Sequence, residues 1–168
     1  MHLAPAFGWR AALVLLAAIV MSLPIPLLPA VPDLMVVVVG VVALTKGPWV
    51  GAVIGLGGGW LIDLVPPGAS PMGGSALLYA AIGAGVGSVR RHLAATPSAS
   101  LLPLIPWVVV ALASGVVLLV RLTLAAAGFG EVEVSEMGWT WLLTIMLTPL
   151  LLPPLVWIER WLAVRRWG

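Results

Sequence analysis

Long apolar stretches run through this chain and leave little room for charge. Residues of the set AVILMFWYC make up 62% of the 168 positions, and charged residues make up only 8%. A soluble domain usually carries about 25% charged residues. A soluble fold of this size cannot bury so much apolar surface, so a soluble globular domain, a disordered chain and a nucleic-acid binder are excluded. The composition predicts an all-α integral membrane protein.

The breaks between the apolar stretches predict six transmembrane helices in a single domain over residues 1–168. Proline, glycine or polar residues stand at each break, as expected for turns. The second apolar run is short for a bilayer core of about 30 Å and could either cross or re-enter. The predicted spans are residues 11–28, 34–45, 48–65, 71–89, 107–127 and 139–158.

Charge distribution favours six crossings with the N-terminus and the C-terminus both in the cytoplasm. Basic residues are enriched in cytoplasmic loops, and this orientation places all the basic residues except Arg121 on that side. Asp33 then falls outside. The two basic clusters, Arg90 to His92 and Arg160 with Arg165 and Arg166, also suit anionic membrane lipids. The cytoplasmic basic residues are Arg10, Lys46, Arg90, Arg91, Arg160, Arg165 and Arg166.

Glycines repeat every fourth residue in the third span, at Gly51, Gly55 and Gly59. Residues at this spacing lie on one side of a helix, where small side chains allow a second helix to approach closely. The stripe therefore predicts either packing of the third span on the fourth within the monomer or a docking face for another membrane helix.

Two charges lie inside predicted spans, at Asp63 and Arg121. Charged groups within a bilayer usually face the protein interior or an aqueous cavity. In the six-span topology both residues lie in the outer half of the membrane. We therefore predict that Asp63 and Arg121 form an ion pair; the alternative is that each reaches interfacial water separately.

The segment 128–138 alternates acidic and apolar residues, with Glu131, Glu133 and Glu136 as its acidic members. Alternation predicts a short extended segment on the outer face. It is either a solvated acidic loop or a contact for an extracytoplasmic partner.

The sequence offers no group of residues suited to catalysis. It has no cysteine and only two histidines, which stand far apart. No acid–base pair, catalytic triad, metal-ligand cluster or phosphate-binding loop stands out, so we expect neither catalysis, nor a metal site, nor a cofactor.

The order of motifs between residues 31 and 91 resembles the rod shape-determining protein MreD family. Pro32 and Asp33 precede a short second helix, and a glycine-stepped third helix ends in the block Gly59 to Asp63. A proline- and glycine-rich loop follows, and then a helix start with Gly73 and Leu77. The remainder of the chain matches only in size, hydropathy and number of spans.

The resemblance implies a non-catalytic scaffold of the bacterial cell-elongation machinery in the cytoplasmic (inner) membrane. Such a scaffold would bind the single-span protein MreC. With MreC it would help couple MreB filaments to the peptidoglycan polymerase RodA and its transpeptidase. The resemblance also implies a six-helix fold similar to the substrate-binding subunits of energy-coupling-factor transporters.

A vitamin-binding subunit of such a transporter is therefore the alternative function. It requires an outward-facing pocket lined with polar and aromatic groups. The spans hold few of these, since the whole chain has one tyrosine and two phenylalanines. An integral-membrane enzyme ranks third.

Overall fold

The computed structural model describes residues 4–23, 29–64, 72–95, 105–128 and 133–164, and these form six α-helices. Helix α1 runs opposite to α2 and α6, because Arg10 near its start contacts Glu159 near the end of α6, and Lys46 at the end of α2 contacts the same carboxylate. The helices are α1 (Ala4–Ser22), α2 (Leu34–Lys46), α3 (Pro48–Leu64), α4 (Gly74–Ala95), α5 (Ile105–Ala126) and α6 (Val134–Val164).

Two of these helices are long and apolar enough to cross a bilayer, namely Ile105–Ala126 and the stretch Val134–Glu159 of α6. Shorter apolar helices cover Gly8–Ser22, Leu34–Lys46 and Pro48–Leu64. The six predicted spans therefore correspond to six helices. That each of them crosses the membrane stays a prediction, as does the single domain over residues 1–168.

The short helix α2 lies at the centre of the bundle. Its 13 residues extend about 20 Å, and every residue from Met35 to Ala43 is buried. It packs against α1, α3, α4, α5 and α6. A helix that is apolar on all sides suits either a protein core or a lipid environment, and the run of valines in α2 lies in the core.

Helices α3 and α4 pack antiparallel with their backbones in contact. A Cβ atom added at Gly51 would lie 2.7 Å from the carbonyl oxygen of Gly83, and one added at Gly55 would overlap the backbone of Tyr79. Gly59 is equally close to Ser75. Of the two uses predicted for the glycine stripe, the structure displays packing within the monomer.

The end of the acidic segment is helical rather than extended. Helix α6 begins at Val134, so Glu136 lies in its first turn and Glu133 directly precedes it. The Glu133 carboxylate accepts a hydrogen bond from the Ser135 hydroxyl at 2.7 Å. The predicted extended segment is therefore wrong from residue 134 onward, because negative charge at a helix N-terminus favours the helix. Glu131 lies outside the described residues.

Helix boundaries differ from the predicted spans mainly where helices continue past the apolar stretch. Helix α4 extends to Ala95, beyond the predicted end at residue 89, and α6 extends five residues further at its start and six at its end. Polar side chains can stay solvated on such extensions, so hydropathy alone ends the helix too early. Residues 24–28 of the predicted first span lie outside the described residues.

Candidate functional site

Two buried polar clusters occupy opposite ends of the helix bundle. The first contains Asp33, Tyr79 and Arg121, and we call it the Asp33 cluster. The second contains Arg10, Lys46 and Glu159, and we call it the Glu159 cluster. The predicted orientation places the Asp33 cluster on the outer side of the membrane and the Glu159 cluster on the cytoplasmic side.

Asp33 is the N-terminal cap of the central helix. Its Oδ1 accepts a hydrogen bond from the backbone N–H of Val36 at 3.2 Å, which satisfies one of the free donors that begin every helix. Its own N–H donates to the Thr144 hydroxyl at 2.8 Å, and Thr144 donates in turn to the Thr140 carbonyl at 2.6 Å. Pro32 is buried immediately before it. The cap therefore ties α2 to α6.

Tyr79 connects Asp33 to Arg121. The fully buried tyrosine hydroxyl donates to Asp33 Oδ2 at 2.6 Å and accepts from Arg121 Nη2 at 2.8 Å. Arg121 Nη2 also lies 3.7 Å from Asp33 Oδ2. Three helices, α2, α4 and α5, are thus linked by one chain of charge-assisted hydrogen bonds, a strong class of contact in a low-dielectric interior.

The predicted ion pair between Asp63 and Arg121 is wrong. Asp63 is buried at the end of α3, where its Oδ2 accepts from the backbone N–H of Ala76 at 3.2 Å. Ala76 lies in the first turn of α4, where free N–H groups and the positive end of the helix dipole stabilise an anion. The α4 N-terminus thus replaces the predicted cation, and Arg121 pairs with Asp33 instead.

Gly73 forms the turn that brings α4 to Asp63. Its φ is +88°. Residues other than glycine adopt this left-handed backbone conformation only with strain. The family-like block therefore has a local explanation: Gly59 lets α4 approach, Gly73 turns the chain and Asp63 holds the start of α4. The second carboxylate oxygen of Asp63, Oδ1, is buried and has no hydrogen-bond partner among the described residues.

The Glu159 cluster joins the first, second and last helices. Arg10 donates to Glu159 through Nε and Nη2, both at 2.9 Å, and Lys46 Nζ lies 3.4 Å from Glu159 Oε2. Glu159 is 1% exposed. From the sequence, Arg10 and Lys46 were used only to predict topology, and Glu159 was not predicted as a site residue. Glu159 is nevertheless the single acidic residue in the segments predicted to be cytoplasmic, which otherwise carry basic charges.

A small cavity adjoins the Asp33 cluster between α5 and α6. Its volume is about 40 Å³, which is far below the roughly 300–1,000 Å³ of a small-molecule site. It is lined by Asp33, Ser114, Val117, Leu118, Arg121, Met137, Thr140, Trp141 and Thr144. Within the part of the chain that the structure describes, no group of three or more His, Cys, Asp or Glu residues could hold a metal ion.

The model of the family described as rod shape-determining protein MreD matches residues 6–160, nearly the whole chain. The chain belongs to the MreD family. No curated protein and no solved structure matches it significantly. It is therefore a helical membrane protein with a role in rod-shape determination and cell elongation, and MreD proteins are generally non-catalytic.

The sequence pattern singles out the glycine-to-aspartate block but not every residue of the site. Tyr79 and Thr144 belong to the site, and sequence reasoning singled out neither. One signal was present for Tyr79, since it is the only tyrosine in the chain and lies inside an apolar helix, where its hydroxyl requires a partner. No comparable signal marked Thr144.

Removal of the Tyr79 hydroxyl should test the linkage of the three helices. In Tyr79→Phe the ring stays buried while Asp33 Oδ2 and Arg121 lose their shared partner, so we expect a loss of about 1–3 kcal/mol in the free energy of unfolding. Thermal unfolding of the purified protein in mild detergent measures the change. Ser88→Ala is the control, since among the described residues that exposed hydroxyl on α4 donates a hydrogen bond only to the Ala84 carbonyl. Equal effects of the two variants would contradict the linkage.

Proposed function

We propose that this MreD-family protein is a non-catalytic scaffold in the bacterial inner membrane that binds MreC. Through MreC it helps to connect RodA and its transpeptidase, and indirectly MreB, at sites of cell elongation. The family match carries this proposal. We further propose six crossings with both termini in the cytoplasm and a fold similar to the substrate-binding subunits of energy-coupling-factor transporters.

The two polar clusters support a structural role rather than turnover of a substrate. Their strongest donors and acceptors are engaged with one another across different helices, from α1 to α6. The cavity of about 40 Å³ next to Arg121 is too small for a vitamin. The larger groove between α4 and α5 is lined by apolar residues and does not provide the polar groups that orient such a ligand. These observations favour a scaffold over the alternative, a vitamin-binding transporter subunit.

An apolar groove between α4 and α5 is our candidate for the MreC-binding surface. Its volume is about 460 Å³, and no charged residue lines it. Gly85 lies open in it, with nothing within 4 Å of an added Cβ. Helix partners in membranes approach closely at small residues, because packing replaces the hydrophobic effect there. The groove therefore suits an uncharged transmembrane helix such as the single span of MreC.

Cysteine cross-linking in native membranes tests this surface, because the chain itself contains no cysteine. We expect Gly85→Cys to form a disulfide with cysteines placed along the MreC span, identified by mass spectrometry after detergent pull-down. Gly57→Cys is the matched control, since Gly57 is an exposed α3 glycine whose added Cβ also meets nothing within 4 Å.

The two variants separate the possible outcomes. Cross-linking at residue 57 but not at residue 85 would move the MreC surface to α3. Failure to recover MreC at all, together with recovery of paired ABC-type ATPases and a transmembrane coupling subunit, would support the transporter alternative and overturn the scaffold.

A further inference from the structure

We propose that the cavity beside Arg121 binds the phosphate of a membrane phospholipid with a primary-amine headgroup, such as phosphatidylethanolamine. The proposal goes beyond the scaffold role and does not depend on MreC, but it rests on the proposed six-crossing orientation in the membrane. It rests on the hydrogen-bond donors of the cavity, on its depth and on the carboxylate that lies one helical turn from it.

Three residues that line the cavity carry hydrogen-bond donors in their side chains. Arg121 has five N–H groups, and its hydrogen bond within the described residues uses only Nη2. Thr140 and Trp141 also line the cavity, and the Thr140 hydroxyl and the Trp141 indole N–H are further donors. Arginine combined with neutral donors is a typical binding arrangement for phosphate oxygens.

The acidic residue in the cavity does not compete for this role. Asp33 is only 3% exposed, and its two carboxylate oxygens already accept hydrogen bonds from Tyr79 and from the backbone of Val36. The Arg121 side chain, by contrast, keeps 32% of its surface exposed. The Arg121 side chain is therefore accessible, whereas the Asp33 carboxylate is occupied.

In the proposed six-crossing topology the cavity lies near the outer end of the bundle, within reach of lipid headgroups. Arg121 is five residues from the end of α5, and Thr140 is six residues from the start of α6, so both lie about 8–9 Å below the helix ends. Trp139 and Trp141 remain partly exposed at this level, and tryptophan favours the headgroup boundary. A lipid phosphate reaches this position, whereas a lipid tail cannot satisfy the donors.

The cavity volume matches part of a phosphate group. About 40 Å³ holds roughly three water molecules on the same measure. The two unesterified oxygens of a phosphodiester can enter such a space while its ester arms remain outside among the lipids.

The position of Glu136 favours a lipid whose headgroup carries an amine. It is exposed and lies four residues before Thr140 on α6, so the two side chains project from the same face of the helix, one turn apart. A headgroup whose phosphate contacts Arg121 can extend its ammonium group toward Glu136. Phosphatidylglycerol has no cation to place there, and phosphatidylcholine has a cation without N–H donors.

Native mass spectrometry of the full-length protein with added phosphatidylethanolamine, phosphatidylglycerol or phosphatidylcholine tests the proposal. We expect preferential retention of phosphatidylethanolamine. Arg121→Gln should lower its affinity at least about tenfold, since a charge-assisted bond is lost. Glu136→Gln should reduce the preference over phosphatidylglycerol by about threefold, as expected for one exposed charge pair.

Thr140→Val keeps the test decisive if Arg121→Gln fails to fold. This variant retains the Asp33 cluster. The loss of one hydrogen-bond donor should weaken the binding of phosphatidylethanolamine about threefold or more. Thr123→Val, an exposed threonine at similar depth on α5, should change nothing. Equal lipid retention by wild type and by Thr140→Val, or stronger retention of phosphatidylglycerol, would overturn the proposal. If inorganic phosphate displaced the lipid, the ligand of the cavity would be free phosphate rather than a lipid, and the lipid proposal would be overturned.

Discussion

Gly55→Ala should destabilise the helix bundle by at least about 3 kcal/mol, the upper end of the usual cost of overpacking. The added methyl group would overlap the backbone of Tyr79 and lie 2.9 Å from the backbone nitrogen of Ala80. Backbone atoms have no alternative rotamer, so α3 and α4 must move apart. That movement also displaces Tyr79 from Asp33 and thereby weakens the Asp33 cluster.

Gly57→Ala provides a matched control two residues away on the same helix. An added Cβ at Gly57 meets nothing within 4 Å, so the substitution should be neutral or stabilise the helix by up to about 1 kcal/mol through helix propensity. Unfolding in mixed micelles and the yield of monodisperse protein measure both variants. Equal stability of Gly55→Ala and Gly57→Ala would mean that the glycine stripe does not set the α3–α4 distance.

The glycine stripe shows what sequence spacing can predict. A four-residue repeat defines one face of a helix, and small residues on it predict a close neighbour. The next helix along the chain is the simplest neighbour, since a short connection favours antiparallel packing. Spacing alone leaves the identity of the neighbour open, because the same face would serve another protein equally well.

The composition of α2 does not by itself predict its central position. The run of valines after Asp33 has no polar face, and such a helix either lies inside a protein core or faces lipid as a membrane span. Its length of 13 residues is short for a bilayer and also leaves a re-entrant segment open. The structure places α2 in contact with all five other helices, so protein rather than lipid surrounds the residues from Met35 to Ala43.

The error at Asp63 and Arg121 has a geometric cause. Predicted spans give the depth of a residue but not the direction in which its side chain points. Both residues have similar depth, yet Arg121 points toward Tyr79 and Asp33, and Asp63 points toward the start of α4. A backbone N-terminus as the partner of a carboxylate has no sequence signature of its own, so the pairing required the structure.

Glu159→Gln should cost about 3–5 kcal/mol of stability, the usual effect of removing one partner from a buried ion pair. The variant keeps the shape of the side chain but leaves Arg10 with no anion at 2.9 Å and Lys46 with none at 3.4 Å. Arg10 is itself buried, so solvent cannot replace the lost carboxylate. Thermal unfolding in detergent measures the effect, and Glu136→Gln, which removes an exposed charge from the first turn of α6, should cost no more than about 1 kcal/mol.

The double variant Arg10→Met with Glu159→Met distinguishes a requirement for charge neutrality from a requirement for the ion pair itself. Burial of two charges has a large desolvation cost, so apolar replacement of both partners is often neutral or even stabilising. We therefore expect the double variant to be more stable than Glu159→Gln. Lys46 does not reverse this result, because its side chain is 24% exposed and can direct its ammonium group to water. If the double variant were as unstable as Glu159→Gln, the paired hydrogen bonds between α1 and α6 would themselves be required for the stability of the bundle.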